Sequence, residues 1–206
     1  MTGIREFLPL DAQGRRRLKV AFVGTHGVGK TTLCFDLAGQ LKRLDLGVDI
    51  VKEVARRCPL PINEETTRDA QEWILHSQVA EEIAAQAVYE VVICDRSVLD
   101  NYAYLVARAG RTPALDALVA DWIGTYDALF KVPVTAAPSF DGTRAVSRHF
   151  QLEIDATLER LIGDLGVTVV RLDPEARDGW VPRVIEALRL PAQPPQGDLF
   201  AAPRAG

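Results

Sequence analysis

The segment Gly24-Thr25-His26-Gly27-Val28-Gly29-Lys30-Thr31 satisfies the spacing G-x-x-x-x-G-K-[ST] at every constrained position. Glycines at these positions let successive backbone N–H groups turn inward, building a concave cradle for phosphate oxygens. A helix starting near Lys30 adds the positive end of its dipole at the same point. Lys30 can reach the β- and γ-phosphates as a cation, and the Thr31 hydroxyl can bind Mg²⁺. Gly24 to Thr32 thus form a candidate triphosphate site, with ATP and Mg²⁺ as expected cofactors. Thr25, His26, Val28 and Thr32 fill its variable positions.

Two carboxylates follow apolar runs. Asp95 closes Val91-Val92-Ile93-Cys94, a pattern that puts a metal-binding carboxylate at a strand's end; Thr31 and Asp95 form the candidate metal pair. The plainer reading is a cap for the next helix. Glu53 closes the run over 48–53, with Arg56 and Arg57 just after it. A carboxylate beside a transferable phosphate can take the proton of an attacking hydroxyl. Arg96 can orient that hydroxyl or tune Glu53; for both residues the alternative is a structural ion pair. Spacing alone leaves open whether Glu53 or Asp95 is the base. Arg144 and Arg148 are four apart and share a helical face. They can stabilise charge on a transferred group. The segment 54–78 and the helix after Asp95 should build an acceptor pocket. Trp73, His76, Gln78, Asp100, Asn101 and Tyr104 are its candidates for stacking and hydrogen bonding.

The surrounding elements must place these groups. A length of 206 residues implies one domain. With 48% hydrophobic and 25% charged residues, wholesale disorder is excluded. A net charge of −4 argues against a protein that coats duplex DNA. Three cysteines without metal spacing read as reduced thiols in a cytoplasmic protein. Residues 1–17 lack the apolar run of a signal peptide or membrane span. Apolar, β-branched runs predict strands over 18–24, 48–53, 90–95, 127–132 and 167–172. Helices are predicted over 30–46, 68–88 (capped by Thr67), 98–109, 113–124, 146–165, and from a capping Asp178 to Leu188. Strands without polar alternation, separated by helices, predict an α/β fold whose parallel sheet is covered on both faces. Ligands then sit beyond the strands' carboxyl ends. The expected organisation is an N-terminal extension over 1–17, a domain over 18–188 and a flexible tail over 189–206.

GTHGVGKTT, KEVARR with prolines nearby, VVICDRSVLDNYAYL and DGTRAVSRHFQLEID together resemble the P-loop kinase-like family that contains the ribosylnicotinamide kinase domain. The DRS segment is also similar to the deoxynucleoside kinases. The resemblance implies a three-layer P-loop NTPase sandwich with five parallel strands in the order 2-3-1-4-5 and a helical lid. It puts Glu53 near the acceptor hydroxyl, Asp95–Arg96 in the crevice, and Arg144 and Arg148 on the lid. Unlike the deoxynucleoside kinases, this chain has no Glu-Pro after its second strand. The expected function is transfer of the ATP γ-phosphoryl group to a hydroxyl of a nucleoside-like small molecule. One alternative is a polynucleotide 5′-hydroxyl kinase, suggested by Arg15–Arg17, Arg56–Arg57 and the tail. Its segment 196-QGDLF-200 resembles peptides that dock on the bacterial sliding clamp, with Gln196 setting register and Leu199 and Phe200 as anchors. The other alternative is an ATPase switch without an acceptor; the N-K-x-D motif of switch GTPases is absent.

Overall fold

The computed structural model describes residues 4–62, 65–135 and 148–193. Its centre is β1 (Leu18–Val23), whose six residues are all buried. β1 pairs in parallel with β3 (Val91–Asp95) on one side and with β4 (Ala128–Lys131) on the other. The outer strands are β2 (Val48–Val51), beside β3, and β5 (Val170–Arg171), beside β4. The order is therefore β2-β3-β1-β4-β5, all parallel.

Side chains alternate across a strand, so one apolar run feeds two layers. Val20, Phe22, Val91, Ile93 and Phe130 pack on α1 (Lys30–Arg43) and α6 (Trp180–Ala187) through Leu33, Leu37, Leu41, Trp180 and Val184. Ala21, Val23, Val92, Cys94 and Leu129 face the other layer. That layer holds α2 (Arg68–Val88), α3 (Val98–Ala109), α4 (Pro113–Ile123) and α5 (Arg148–Asp164). These make six α-helices among the described residues. Cys34, Cys58 and Cys94 are free thiols.

Helix starts follow the local chemistry. Thr67 Oγ1 accepts from Ala70 N at α2, and Thr112 Oγ1 accepts from Leu115 N at α4. Ser97 and Asp100 form a capping box at α3. α1 starts differently: Gly29 precedes it in a left-handed conformation (φ 94°) with no side-chain cap. A helix start of this kind can receive an anion.

Several boundaries differ from expectation. α1 stops at Arg43, and β2 stops at Val51 because Val54–Arg57 turn into a 3-10 helix. β5, at one edge of the sheet, is only two residues long. Asp178 does not cap the last helix. It lies inside a 3-10 turn, Arg177–Gly179, and Gly179 takes the N-cap position. The N-terminal segment packs on the domain from residue 4, with Ile4 and Leu8 in the α1–α6 layer. At the other end Leu190 joins that layer.

One ion pair is wholly enclosed. Lys19 Nζ lies 3.0 Å from Glu82 Oε2, and both side chains are fully buried. Glu82 also accepts from Trp122 Nε1 (2.8 Å), Tyr126 O–H (2.7 Å) and Gln78 Nε2 (2.9 Å). Removing the cation alone would leave a buried carboxylate without its counter-charge. Lys19→Met is expected to cost about 3–5 kcal/mol of stability. Adding Glu82→Gln should restore much of it. Urea unfolding of both variants measures this, and a Lys19→Met midpoint equal to wild type would contradict it.

Candidate active site

The phosphate loop leaves the carboxyl end of β1 and is stapled at its first residue. Gly24 N donates to Asp100 Oδ1 (2.6 Å), while Ser97 N (2.8 Å) and Ser97 Oγ (2.7 Å) donate to Asp100 Oδ2. One carboxylate thus caps α3 and fixes the start of the loop. Gly24 also needs its missing side chain, because a Cβ there would approach Val132 O to 2.9 Å. Lys30 folds back over the loop, its Nζ donating to Gly24 O (2.7 Å) and Thr25 O (2.6 Å). Burial, and then the nearby positive charge of Arg96, lower the Lys30 pKa to about 8 against the opposing pull of Asp100, Asp95 and Glu53. Thr31 Oγ1 donates to Asp95 Oδ2 (2.5 Å). A hydroxyl and a carboxylate so placed are hard oxygen donors of the type Mg²⁺ takes. A helix start without a side-chain cap, a buried ammonium and this oxygen pair fit a magnesium-bound nucleoside triphosphate.

A second cluster adjoins the loop. Glu53 is 7% exposed. Its Oε1 accepts from Arg96 Nε (2.8 Å) and Nη2 (2.7 Å), and its Oε2 accepts from Arg56 Nε (2.9 Å). Arg96 is buried and has φ 102°, a conformation that residues with a side chain rarely adopt. Gln78 Nε2 donates to the Arg96 carbonyl (3.1 Å), and the guanidinium lies 4.9 Å from the Tyr104 ring centre. Arg96 Nη1 is buried and has no hydrogen-bond partner among the described residues. Glu53, Arg56, Gln71, Arg96, Asn101 and Tyr104 line a narrow cavity of about 40 Å³.

His26 joins this cavity to the loop. Its backbone N–H donates to the Tyr104 hydroxyl (3.2 Å), and its Nδ1 lies 2.9 Å from the same oxygen. Its ring packs 5.7 Å from Phe150. Gln151 Nε2 donates to His26 O (2.9 Å), and Arg148 Nη1 donates to Gln151 Oε1 (2.8 Å). Arg148 is therefore connected to the loop through Gln151. The loop position that looked merely variable in sequence links α3 and α5.

The structure brings Glu53, Arg96, Asn101 and Tyr104 to one cavity, with Lys30, Thr31 and Asp95 in the adjoining loop site. Gln78 supports Arg96 from behind, and Asp100 holds the loop; neither lines the cavity. Trp73 and His76 do not reach it. The cavity takes Gln71 and Ile74 from α2, and a residue two positions later is turned by about 200° around a helix. Arg15 pairs with Asp11, and Arg16 donates to the carbonyls of Glu6 and Leu8. Both precede the amino end of β1, opposite the phosphate loop. Arg57 pairs with Glu81. Arg144, Gln196, Leu199 and Phe200 lie outside the described residues. Among those described, no helix is long and apolar enough to cross a membrane.

This sheet order with the phosphate loop after β1 defines a P-loop nucleotide-binding protein of the kinase-like type. The family described as AAA domain matches residues 19–178, and the chain belongs to it. No curated protein matches. The structure is similar to that of deoxyadenosine kinase from M. mycoides, with products dCMP and a flexible dCDP bound (TM-score 0.61, 16% identity, 84% of this chain and 99% of that one). It is equally similar to thymidylate kinase from Ehrlichia chaffeensis (TM-score 0.61, 18% identity, 84% of this chain and 98% of that one). These likenesses establish the fold of P-loop nucleotide kinases.

Lys30 sets a pH dependence. Without ligand its proton leaves near pH 8, whereas bound phosphate favours the charged form. Nucleotide affinity should fall above pH 8, approaching about tenfold per pH unit, with proton uptake on binding at pH 8.5. The folded pKa is below the unfolded one, so this group's cost to stability fades as pH rises from about 8 towards 10.5. Calorimetry in buffers of different ionisation enthalpy checks the binding effect; constant affinity from pH 7 to 9.5 without proton uptake would contradict it.

Proposed function

We propose that the protein is an ATP-dependent phosphotransferase that moves the γ-phosphoryl group to a hydroxyl of a nucleoside-like small molecule. The observation that carries this reading is the buried Glu53–Arg96 pair in a polar cavity next to the phosphate loop. Water attack needs no such second cavity; a hydroxyl acceptor needs a base and a donor held together. The nucleoside and nucleotide kinases that share the fold point the same way.

In this reading the two carboxylates divide their work by environment. Asp95 and Thr31, bonded to each other, would hold Mg²⁺. Mg²⁺ when bound neutralises charge on the β- and γ-phosphate oxygens. Glu53 accepts the proton of the acceptor hydroxyl. Arg56 and Arg96, which donate to its oxygens, orient the carboxylate, and Arg96 Nη1 donates to the acceptor oxygen. The acceptor oxygen forms its bond to the γ-phosphorus as the bond to the β–γ bridging oxygen breaks, and ADP leaves. Lys30 and the α1 N–H groups hold the β- and γ-phosphates. Arg148, anchored through Gln151, brings positive charge to the transferred group, the role the sequence also suggests for Arg144.

The test follows labelled γ-phosphate from ATP·Mg²⁺ into nucleosides, nicotinamide riboside, nucleoside monophosphates and a 5′-hydroxyl oligonucleotide, with free phosphate measured alongside. A labelled nucleoside-like acceptor is expected. Glu53→Gln should lower kcat about 100-fold while ADP affinity stays within about twofold. Steady phosphate release with no labelled acceptor, or undiminished Glu53→Gln turnover, would contradict the proposal.

A further inference from the structure

At the amino end of the sheet, opposite the phosphate loop, is a groove that the reaction above does not use. Its volume is about 740 Å³, room for a small organic molecule. Three segments wall it: the turn leading into β1, with Leu10 and Arg17; the end of α2, with Ile83; and the turn before β4, with Thr125 and Asp127. It shares no lining residue with the cavity at Glu53 and Arg96. The walls are held from within. Asp11 Oδ1 accepts from the N–H groups of Gln13 (3.0 Å) and Arg15 (2.8 Å), and Arg17 N donates to Pro9 O (3.0 Å). Thr125 Oγ1 accepts from Lys19 Nζ (2.5 Å), and Asp127 Oδ2 accepts from Lys19 N (2.7 Å).

Of the three consecutive arginines, two are engaged: Arg15 pairs with Asp11, and Arg16 donates to the carbonyls of Glu6 and Leu8. Arg17 is the cation left over. Its side chain makes no hydrogen bond or ion pair among the described residues, and its Nε is buried without an acceptor. Its terminal nitrogens are not enclosed in this way, so the half-buried side chain presents them as a fork. Glu90 feels the Arg17 charge. Burial raises the Glu90 pKa, but bonds from Arg5 and Gly47 N, then the charges of Arg5 and Arg17, hold it below the usual carboxylate value. The Glu90 oxygens are, however, already taken by Arg5 and Gly47 N. A guanidinium that is partly enclosed without an acceptor is costly. Beside it, Leu10 and Ile83 are 59% and 55% exposed. An unmatched cation and bare apolar side chains therefore share one groove.

We propose that this groove binds a small organic anion with an apolar body. Its carboxylate or phosphate group sits on the terminal nitrogens of Arg17, and its body lies across Ile83 and Leu10. A guanidinium fork matches the paired oxygens of either group, and such charge-assisted bonds are about twice as strong as neutral ones. The carboxylates of the groove do not compete for this fork: Asp11 is matched by Arg15, and Asp127 is bonded to the Lys19 backbone. An inorganic anion would leave the apolar wall bare, and a neutral molecule would leave Arg17 unmatched. The inference is independent of the transfer reaction, because the groove lies at the opposite end of the sheet.

NMR titration of the isotope-labelled full chain with phenylacetate, phenyl phosphate, inorganic phosphate and benzyl alcohol tests it. Backbone signals of Thr125 and Asp127 report this groove, and those of Gly27 and Gly29 report the phosphate loop. At millimolar concentrations, suited to ligands of about ten heavy atoms, phenylacetate or phenyl phosphate should shift Thr125 and Asp127. The tighter of the two names the anionic group. Inorganic phosphate and benzyl alcohol should bind there at least tenfold more weakly. Arg17→Gln should weaken the organic anion at least tenfold. Ile83→Ser should weaken it at least threefold; because Ile83 is exposed, this variant decides the matter if Arg17→Gln does not fold. No shift at Thr125 and Asp127 with either organic anion would overturn the proposal, as would shifts confined to Gly27 and Gly29. Equal binding of benzyl alcohol or of inorganic phosphate, or wild-type affinity in both variants, would overturn it too. Binding here by a chain that labels no acceptor would refute the transfer reaction and leave this groove assigned.

Discussion

Arg96 is held in a backbone conformation that costs about 1–3 kcal/mol for a residue with a side chain, and the site is organised around keeping it there. At φ 102° it leaves the carboxyl end of β3 so that its guanidinium turns onto Glu53 and the Tyr104 ring. Its carbonyl is held by Gln78, which is bonded to Glu82, the buried carboxylate paired with Lys19. A chain of polar contacts thus runs from the first turn of the central strand to the cavity at its far end. Each member is enclosed, so each must be satisfied, and this requirement selects one arrangement of the pocket. Arg96 Nη1, buried without a partner among the described residues, is the donor that the proposed reaction gives to the acceptor.

The loop and the cavity are built by neighbouring residues with separate duties. Asp95 meets Thr31, the pair proposed for the metal, and Arg96 meets Glu53, the pair proposed for the acceptor. Asp100 then ties the loop's first residue to the helix that carries Asn101 and Tyr104. His26 closes the circuit by touching Tyr104 and, through its carbonyl, Gln151 of α5. These bonds join the loop to α3 and α5, which suits the proposed transfer, whose main requirements are positioning and charge stabilisation.

Much of this was legible in the sequence for physical reasons. A backbone phosphate cradle demands glycine at fixed positions, and a strand covered on both faces demands an unbroken apolar run. The loop, β1 and β3 were accordingly plain. The positions of Glu53 and Asp95 near strand ends were legible because each follows an apolar run. What remained hidden depended on rotation or on distant chain. Gln71 faces the cavity whereas Trp73 faces away, a matter of helical phase that stacking potential does not reveal. β5 pairs with β4 only at Val170 and Arg171, a register set by distant chain. Ile4 and Leu8 lie in a short segment without periodicity, so their burial was equally silent.

The central claim is that Glu53 and Arg96 act as one unit on the acceptor. A double-mutant cycle on the single-turnover transfer rate, with Glu53→Gln, Arg96→Met and the pair, tests it most directly. The account predicts strong non-additivity, with the double variant no slower than the worse single variant within about threefold. Additive losses would contradict it, showing that the two residues serve transfer independently and that their buried contact is structural alone.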